Sequence, residues 1–596
     1  MTKAERDQKN LEKKRKMAQV LDMGGISLPI SRGGLLKGFW LFAAGFLGWL
    51  FWESRGQING ETVLVTMALS LTCFLPAWLW CTGRVSGLPI FPVFGLSFLP
   101  TYVIPLWRGG VWLSDYSEAE IATAGWTVAG FLLVSTLIWQ QICVRAQKAP
   151  AKIFMIERVR SEWILMGCLI AQTIFEIGIY FFKDLGEGIF PILRSFAASA
   201  GRLGLFIFSY QIGKKELSKG YTYLFVALTA AIVIRQTSSL LLSTVFATIG
   251  VLFAGLILGR GKIPWGSLAL TVFMIGVLQL GKVEMREKYF EGEKTFSMGD
   301  ASGFFAEWIS FGFKNMGFGS RQEGRREDAR SVTDRGSLIQ VMLRIQQKTP
   351  SQLPYLEGAT YRYIPEMLIP RIFNKEKVWA HAGNMILSIY YEFLEREQIF
   401  KTSIAFDPII EAYANYGYPG VFVFAVVMGI LIGAVTAFSC RVPMLSFGFL
   451  FGVQLLAVLL ASFNTTGVLV TSLWQSFLSL VGLSLILMKK LPNPLFVSSR
   501  AGQRMEAQSE REREREGERD PTSHKASECS KREGGREVED RRWEIGDRET
   551  EDRGLRTEDG GFPSSQSPTT AGSQPEAAQV RHERPKRFVY GEKHVS

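Results

Sequence analysis

Apolar residues along this 596-residue chain gather into long runs separated by short polar breaks. Runs of about 17–25 apolar residues match the hydrocarbon thickness of a bilayer when they are helical. A helix of a soluble core would instead show an apolar stripe with a 3.6-residue period. The runs lie at 34–52, 62–81, 88–107, 121–143, 163–182, 188–212, 220–235, 238–258, 265–281, 419–438, 443–462 and 467–488. The pattern predicts an all-α polytopic membrane protein with about 12 transmembrane helices and one large extracytoplasmic loop. Arg235 separates the seventh run from the eighth, which predicts either a tight hairpin or one broken helix.

The polar intervals divide the chain further. Residues 1–33 form a basic leader, 34–281 carry nine spans, 282–418 form the long loop, 419–490 carry three spans, and 491–596 form a tail. The leader holds no cleavable apolar region, so no signal peptide is predicted and the first span acts as an uncleaved anchor. The tail mixes Arg and Glu runs with Ser, Pro and Gly, a composition that buries too little apolar surface to fold. A net charge of +12 is compatible with nucleic acid. These charges flank the apolar runs, however, and no nucleic-acid partner is predicted. With the N-terminus inside, the short inner loops hold Arg84, Arg145, Lys148, Lys152, Lys214, Lys215, Arg260, Lys262 and Arg441, while the short outer loops are poorer in cations. Positive charge marks the cytoplasmic side, so both termini are expected there and the loop at 282–418 outside.

The six cysteines show neither zinc-ligand spacing nor a disulfide framework. Chemistry is concentrated in the long loop. Ser337–Gln347 places Leu338, Val341, Met342 and Ile345 on one helical face, as a docking or interfacial helix would. Ile369-Pro370-Arg371 with Lys375 and Lys377 brings three cations together. An arginine fork grips two phosphate oxygens, but such residues also meet lipid headgroups. His381 is the one histidine outside the tail, and a helix there would put it on a face with Asn384 and Ser388. A neutral imidazole suits removal of a hydroxyl proton. Asp407-Pro408 reads as a helix start, with Asp407 structural. Glu411 and Asn415 lie one turn apart beside Tyr413, either as a polar helix face or as groups that hold a sugar. Arg194, Arg202 and Arg235 fall within apolar runs, where a cation is costly and faces an interior or snorkels.

These residues give the chain a resemblance to the bacterial oligosaccharide repeat-unit polymerases, the Wzy-like O-antigen and exopolysaccharide polymerase group. The resemblance rests on Gly358, Thr360, Tyr361, Ile369, Pro370, Arg371 and Lys375, then on Glu411, Tyr413, Asn415, Gly417 and Gly420. Phe373-Asn374 stands where the family pattern has aromatic-Pro. The resemblance implies a GT-C-like, metal-independent glycosyltransferase of the inner membrane, without a cofactor. It would join undecaprenyl-pyrophosphate-linked oligosaccharides on the outer membrane face, beside a chain-length regulator and a flippase. Arg371, Lys375, Arg235 and Arg194 would hold the pyrophosphate, with Arg371 also catalytic, and His381 or Glu411 would be the base. Tyr361, Asn384, Tyr413 and Asn415 would hold glycan. O-antigen ligation, transport and a scaffold role in polysaccharide export are the alternatives; the uneven nine-and-three division of spans speaks against an even two-halved transporter.

Overall fold

A computed structural model describes residues 32–53, 60–108, 111–145, 149–156, 158–178, 190–240, 242–291, 298–316, 337–370, 373–374, 377–399, 404–461 and 464–496. All of these fall in the compact unit Met1–Arg513. Helices dominate: α1 (Arg32–Glu53), α2 (Gly60–Cys81), α3 (Ile90–Leu96) continuing through a π-turn into α4 (Ile104–Arg108), and α5 (Glu118–Val144). After a short strand, β1 (Lys152–Ile156), come α6 (Arg158–Gly178), α7 (Phe190–Lys214), α8 (Lys219–Ser238), α9 (Leu242–Arg260) and α10 (Trp265–Leu280).

Among its described residues, the stretch read as the long loop is largely helical. It holds α11 (Lys282–Arg286), α12 (Ala301–Met316), α13 (Leu338–Lys348), α14 (Ile364–Leu368) and α15 (Ala382–Tyr390). It also contains the start of α16 (Pro408–Ser439), after which come α17 (Phe447–Ala461), α18 (Thr466–Leu487) and β2 (Met488–Pro492).

Among the described residues, seven helices are long and apolar enough to cross a membrane, or eight if α10 and its continuation, bent by 57°, form one span. They are α1, α2, the α3–α4 unit, α5, α9, α16 and α18. The chain is therefore an all-α polytopic membrane protein. Helices also lie at the other sites of apolar sequence: α6, α7 and α8 carry internal charges, and α17 has 15 residues. At Arg235 the chain forms the tight hairpin: α8 continues past it to Ser238, and α9 begins at Leu242.

Without a hydrophobic force between helices in lipid, packing depends on how closely backbones approach, and small residues permit that. Two crossings use Gly-xxx-Gly pairs. On α9, a Cβ at Gly255 would stand 2.4 Å from the Phe206 carbonyl oxygen, and one at Gly259 would stand 2.1 Å from that of Tyr210 on α7. On α16, a Cβ at Gly429 would stand 2.8 Å from the Ser135 carbonyl oxygen, and one at Gly433 would stand 3.2 Å from Ile142 Cβ on α5. Ser135 Oγ donates to the Ala425 carbonyl at 2.9 Å across the same crossing. The remaining core joins α2, α3, α5, α7, α16, α17 and α18.

The composition of α13 is matched by its packing. Leu338, Ile339, Val341, Met342, Leu343 and Ile345 are buried, and the helix lies on α5 and α16. Gln346 Nε2 donates to Thr127 Oγ1 at 3.1 Å, so this helix docks on protein.

Gly259→Leu should force α7 and α9 apart and lower the thermal unfolding midpoint of the detergent-purified protein, since overpacking costs about 1–3 kcal/mol. Gly266→Leu, where no atom lies within 4 Å, should leave the midpoint unchanged.

Candidate active site

The site is assembled around a break in α16. Pro419 has no N–H, and Gly417 takes φ 64°, ψ −149°, a conformation essentially reserved for glycine. The helix consequently cannot pair the carbonyls of Ala414 and Asn415 internally. The loop does so instead: Leu356 N–H donates to the Ala414 carbonyl at 3.0 Å and Glu357 N–H to that of Asn415 at 3.1 Å. Glu357 and Gly358 both have positive φ, 47° and 84°, which turns the chain away immediately afterwards. A Cβ at Gly358 would meet Tyr416 Oη at 2.3 Å, and one at Gly417 would meet Tyr355 Oη at 2.7 Å. The Tyr361 and Tyr416 rings stack at 6.3 Å.

Four segments converge on the N-terminus of α18. Thr466 N–H donates to Glu411 Oε2 at 2.5 Å, so the carboxylate sits at the positive end of a 22-residue helix. Thr465 Oγ1 donates to Asn384 Oδ1 at 2.7 Å, and Asn384 Nδ2 donates to the Ile404 carbonyl at 3.2 Å. Asn415 Nδ2 donates both to Thr360 Oγ1 and to the Glu411 carbonyl, each at 2.8 Å. Gly383 lets α15 approach: its Cβ would lie 3.1 Å from Thr465 Oγ1 and 3.3 Å from Glu411 Oε1. Glu411 and Asn415 are completely buried. Glu411 Oε1, Asn415 Oδ1 and Thr466 Oγ1 are buried with no hydrogen-bond partner. Burial and the nearby Glu411 push the Tyr361 phenol well above its ordinary value, which keeps it a donor.

Asp407 has a structural place. It caps α16, accepting from Ile410 N–H at 2.8 Å and from the Tyr102 hydroxyl. Tyr413 packs on Tyr355 at 6.2 Å and donates to the Thr349 carbonyl at 3.4 Å.

The remaining sites predicted from sequence are distributed unevenly. Helix α15 starts only after His381, which is its N-cap. His381 is therefore exposed while Asn384 and Ser388 point inward. Protein packed around the ring still lowers the His381 pKa below the ordinary histidine value, leaving the imidazole neutral at pH 7. Arg371 and Lys375 lie outside the described residues. Just before them, the Leu368 carbonyl accepts from Trp474 Nε1 at 3.2 Å. The next residue of α18, Gln475, accepts from Ser195 Oγ at 2.8 Å. Exposed Arg194 and the end of α14 are thus tied to consecutive residues of α18. Arg235 Nε donates to the Glu176 carbonyl at 3.0 Å, closing the end of α6. Arg202 donates to Ser199 Oγ at 3.2 Å and Ser476 Oγ at 3.4 Å. Among the described residues, no group of three or more His, Cys, Asp and Glu is placed to hold a metal ion.

The hub residues at this convergence that sequence reasoning missed are Thr465 and Thr466, with Thr360 present only as a motif position. Their signal is the polar Asn464-Thr465-Thr466-Gly467 at the head of the last apolar run, a helix-start signature.

Fold and site together define a polytopic helical membrane protein with a polar site built from a folded loop and the ends of its last helices. Residues 336–491, which contain α13 to α18 and the whole hub, match the family model of O-antigen polysaccharide polymerase Wzy. That match supports a Wzy-like polymerase family. No curated protein and no solved structure matches the chain.

Gly417→Ala should lower stability by about 2 kcal/mol or more, from the disallowed backbone and the collision with Tyr355. Thermal unfolding of the purified chain measures it; an unchanged midpoint would show that the break does not require glycine.

Proposed function

We propose that the chain is a membrane glycosyltransferase that polymerises undecaprenyl-pyrophosphate-linked oligosaccharide repeat units into O-antigen or exopolysaccharide. It works on the outer face of the inner membrane, with twelve spans and both termini cytoplasmic. The observation that carries this reading is the coincidence of two things. The polymerase-family match spans residues 336–491, and within that stretch Tyr361, Asn384, Glu411 and Asn415 gather at one helix N-terminus.

In the reaction, an acceptor sugar hydroxyl attacks the anomeric carbon of the lipid-linked chain. A C–O glycosidic bond forms, the bond from that carbon to the pyrophosphate oxygen breaks, and lipid pyrophosphate leaves. The hydroxyl proton passes to the base. His381 suits this role better than Glu411, because the residue is accessible from solvent and its ring is neutral at pH 7. The free oxygen of Glu411 is covered by Gly383, and its part is to hold α15, α16 and α18 in register.

Arg371, Lys375 and Arg194 meet the charge that develops on the departing pyrophosphate, a task fixed cations perform well. They do so without a metal. Arg194 is supported by the anchoring of Ser195 and Leu368 to neighbouring residues of α18. Arg235, whose Nε donates to the end of α6, contributes as well. Tyr361, Asn384, Tyr413 and Asn415 shape the glycan side. A flippase that supplies the lipid-linked units and a chain-length regulator are the expected partners.

Cells carrying Arg371→Ala should accumulate single repeat units on lipid while the protein inserts normally. Long polymer of normal yield in that variant would move ligation, transport or a scaffold role ahead. The base assignment has a pH signature. A lowered histidine pKa keeps the ring neutral down to that pKa, so polymerisation in vitro should hold from pH 7 downward and fail only below about 6.5. His381→Gln should reduce the rate about 100-fold or more and remove that acidic limb; an unchanged limb would assign the base elsewhere.

A further inference from the structure

The bundle has a second polar feature, at the opposite end of α18 from the candidate active site. β1 and β2 pair antiparallel, with Phe154 opposite Lys490 and Lys152 opposite Pro492. One face of this ribbon carries buried Ile153 with half-buried Met155 and Leu491, and the paired residues Ile156 and Met488 are buried at the end of the other face nearest α18. Its other face presents Lys152, Phe154 and Lys490, all exposed, with Lys490 Nζ 6.0 Å from the Phe154 ring centroid. Lys489 is exposed too.

The ribbon is rigidly fixed. Ile156 N–H donates to the Leu445 carbonyl at 3.0 Å, and buried Asn493 donates to the carbonyls of Pro150 and Arg441 at 2.9 Å each. These contacts bring Arg441 and exposed Arg145 alongside, since an Arg441 guanidinium N–H donates to the Arg145 carbonyl at 3.5 Å. The segments 145–156, 440–447 and 488–500 contain no Asp or Glu at all.

Depth identifies the occupant. Leu485 and Ile486, in the last turn of membrane helix α18, are 83% and 66% exposed, and the exposed cations Lys489 and Lys490 follow within four residues. That change from exposed apolar to exposed cationic surface is the hydrocarbon-to-headgroup boundary. Phe154, 50% exposed, has the amphipathic surroundings of an interfacial aromatic.

We propose that the β1–β2 ribbon is a binding site for the phosphate headgroups of anionic phospholipids. Its lysines meet the phosphates, and Phe154 lies in the upper acyl region. The site depends on neither the polymerase reading nor the orientation of the chain.

The test uses the full-length protein in nanodiscs of equal phosphatidylglycerol and phosphatidylcholine, released gently into detergent, with retained lipids counted by native mass spectrometry. Phosphatidylglycerol should be enriched. Each lysine near an anionic surface contributes about fivefold, so Lys152→Gln/Lys489→Gln/Lys490→Gln together should cut the enrichment at least about tenfold. Equal retention of the two lipids, or enrichment unchanged in the triple variant, overturns the proposal. Should that variant fail to fold, the wild-type chain decides by salt: enrichment undiminished at 1 M salt, where charge is screened within about 3 Å, also overturns it. A chain stopped after Arg500 should show the same enrichment as the full chain. Enrichment that emerges only on removing the mixed-charge tail would make the tail the occupant and overturn the lipid assignment.

Discussion

Backbone N–H and C=O groups cannot be left unpaired where a chain meets hydrocarbon or is buried, and the break in α16 is where this rule shapes the molecule. Gly417 and Pro419 together release two carbonyls. Leu356 and Glu357 take them up, so the loop is bound to a membrane helix through backbone rather than through variable side chains. Everything at the site is referred to that seam: Tyr416 against Gly358, Tyr355 against Gly417, and Thr360 within reach of Asn415. The same helix carries the Gly429–Gly433 crossing, about three turns further along. One element therefore fixes both the bundle and the loop.

The membrane character was legible because it resides in composition: an apolar run needs no partner to be recognised. Helices were found at each predicted position, and α13 nearly to the residue. How many of them cross the membrane is a different matter, since α6, α7 and α8 carry charges whose surroundings are set by tertiary packing. Arg202 illustrates this. Its sequence context reads as an apolar run, whereas the structure gives it hydroxyls from Ser199 and Ser476. The strands were not legible either. Met488-Lys489-Lys490-Leu491-Pro492 reads as a basic flank of a span, and its partner lies far away in sequence between α5 and α6, so no local period discloses the pairing.

At the site, residue identities were readable and orientations were not. His381, Asn384 and Ser388 have the spacing of a shared helical face, but the helix begins one residue after His381, which leaves that residue partly open to solvent at the helix end and the other two inside. Glu411 and Asn415 keep their expected spacing, and both are buried because α18 brings Thr466 to one and the loop brings Thr360 to the other. Those partners are short polar residues at element ends, where sequence signals are weakest. The family match covers the segment in which these contacts are made.

The ribbon of β1 and β2 also bears on how the protein is made. Its first strand emerges between α5 and α6, and its second directly follows the final membrane helix. During synthesis the first strand must wait, one edge open, until α18 has been inserted and the chain beyond it released. Closure therefore happens once, at the end, and joins the early connection between α5 and α6 to the last span. The ribbon acts as a latch on a finished bundle, and a chain interrupted before Met488 leaves that latch open.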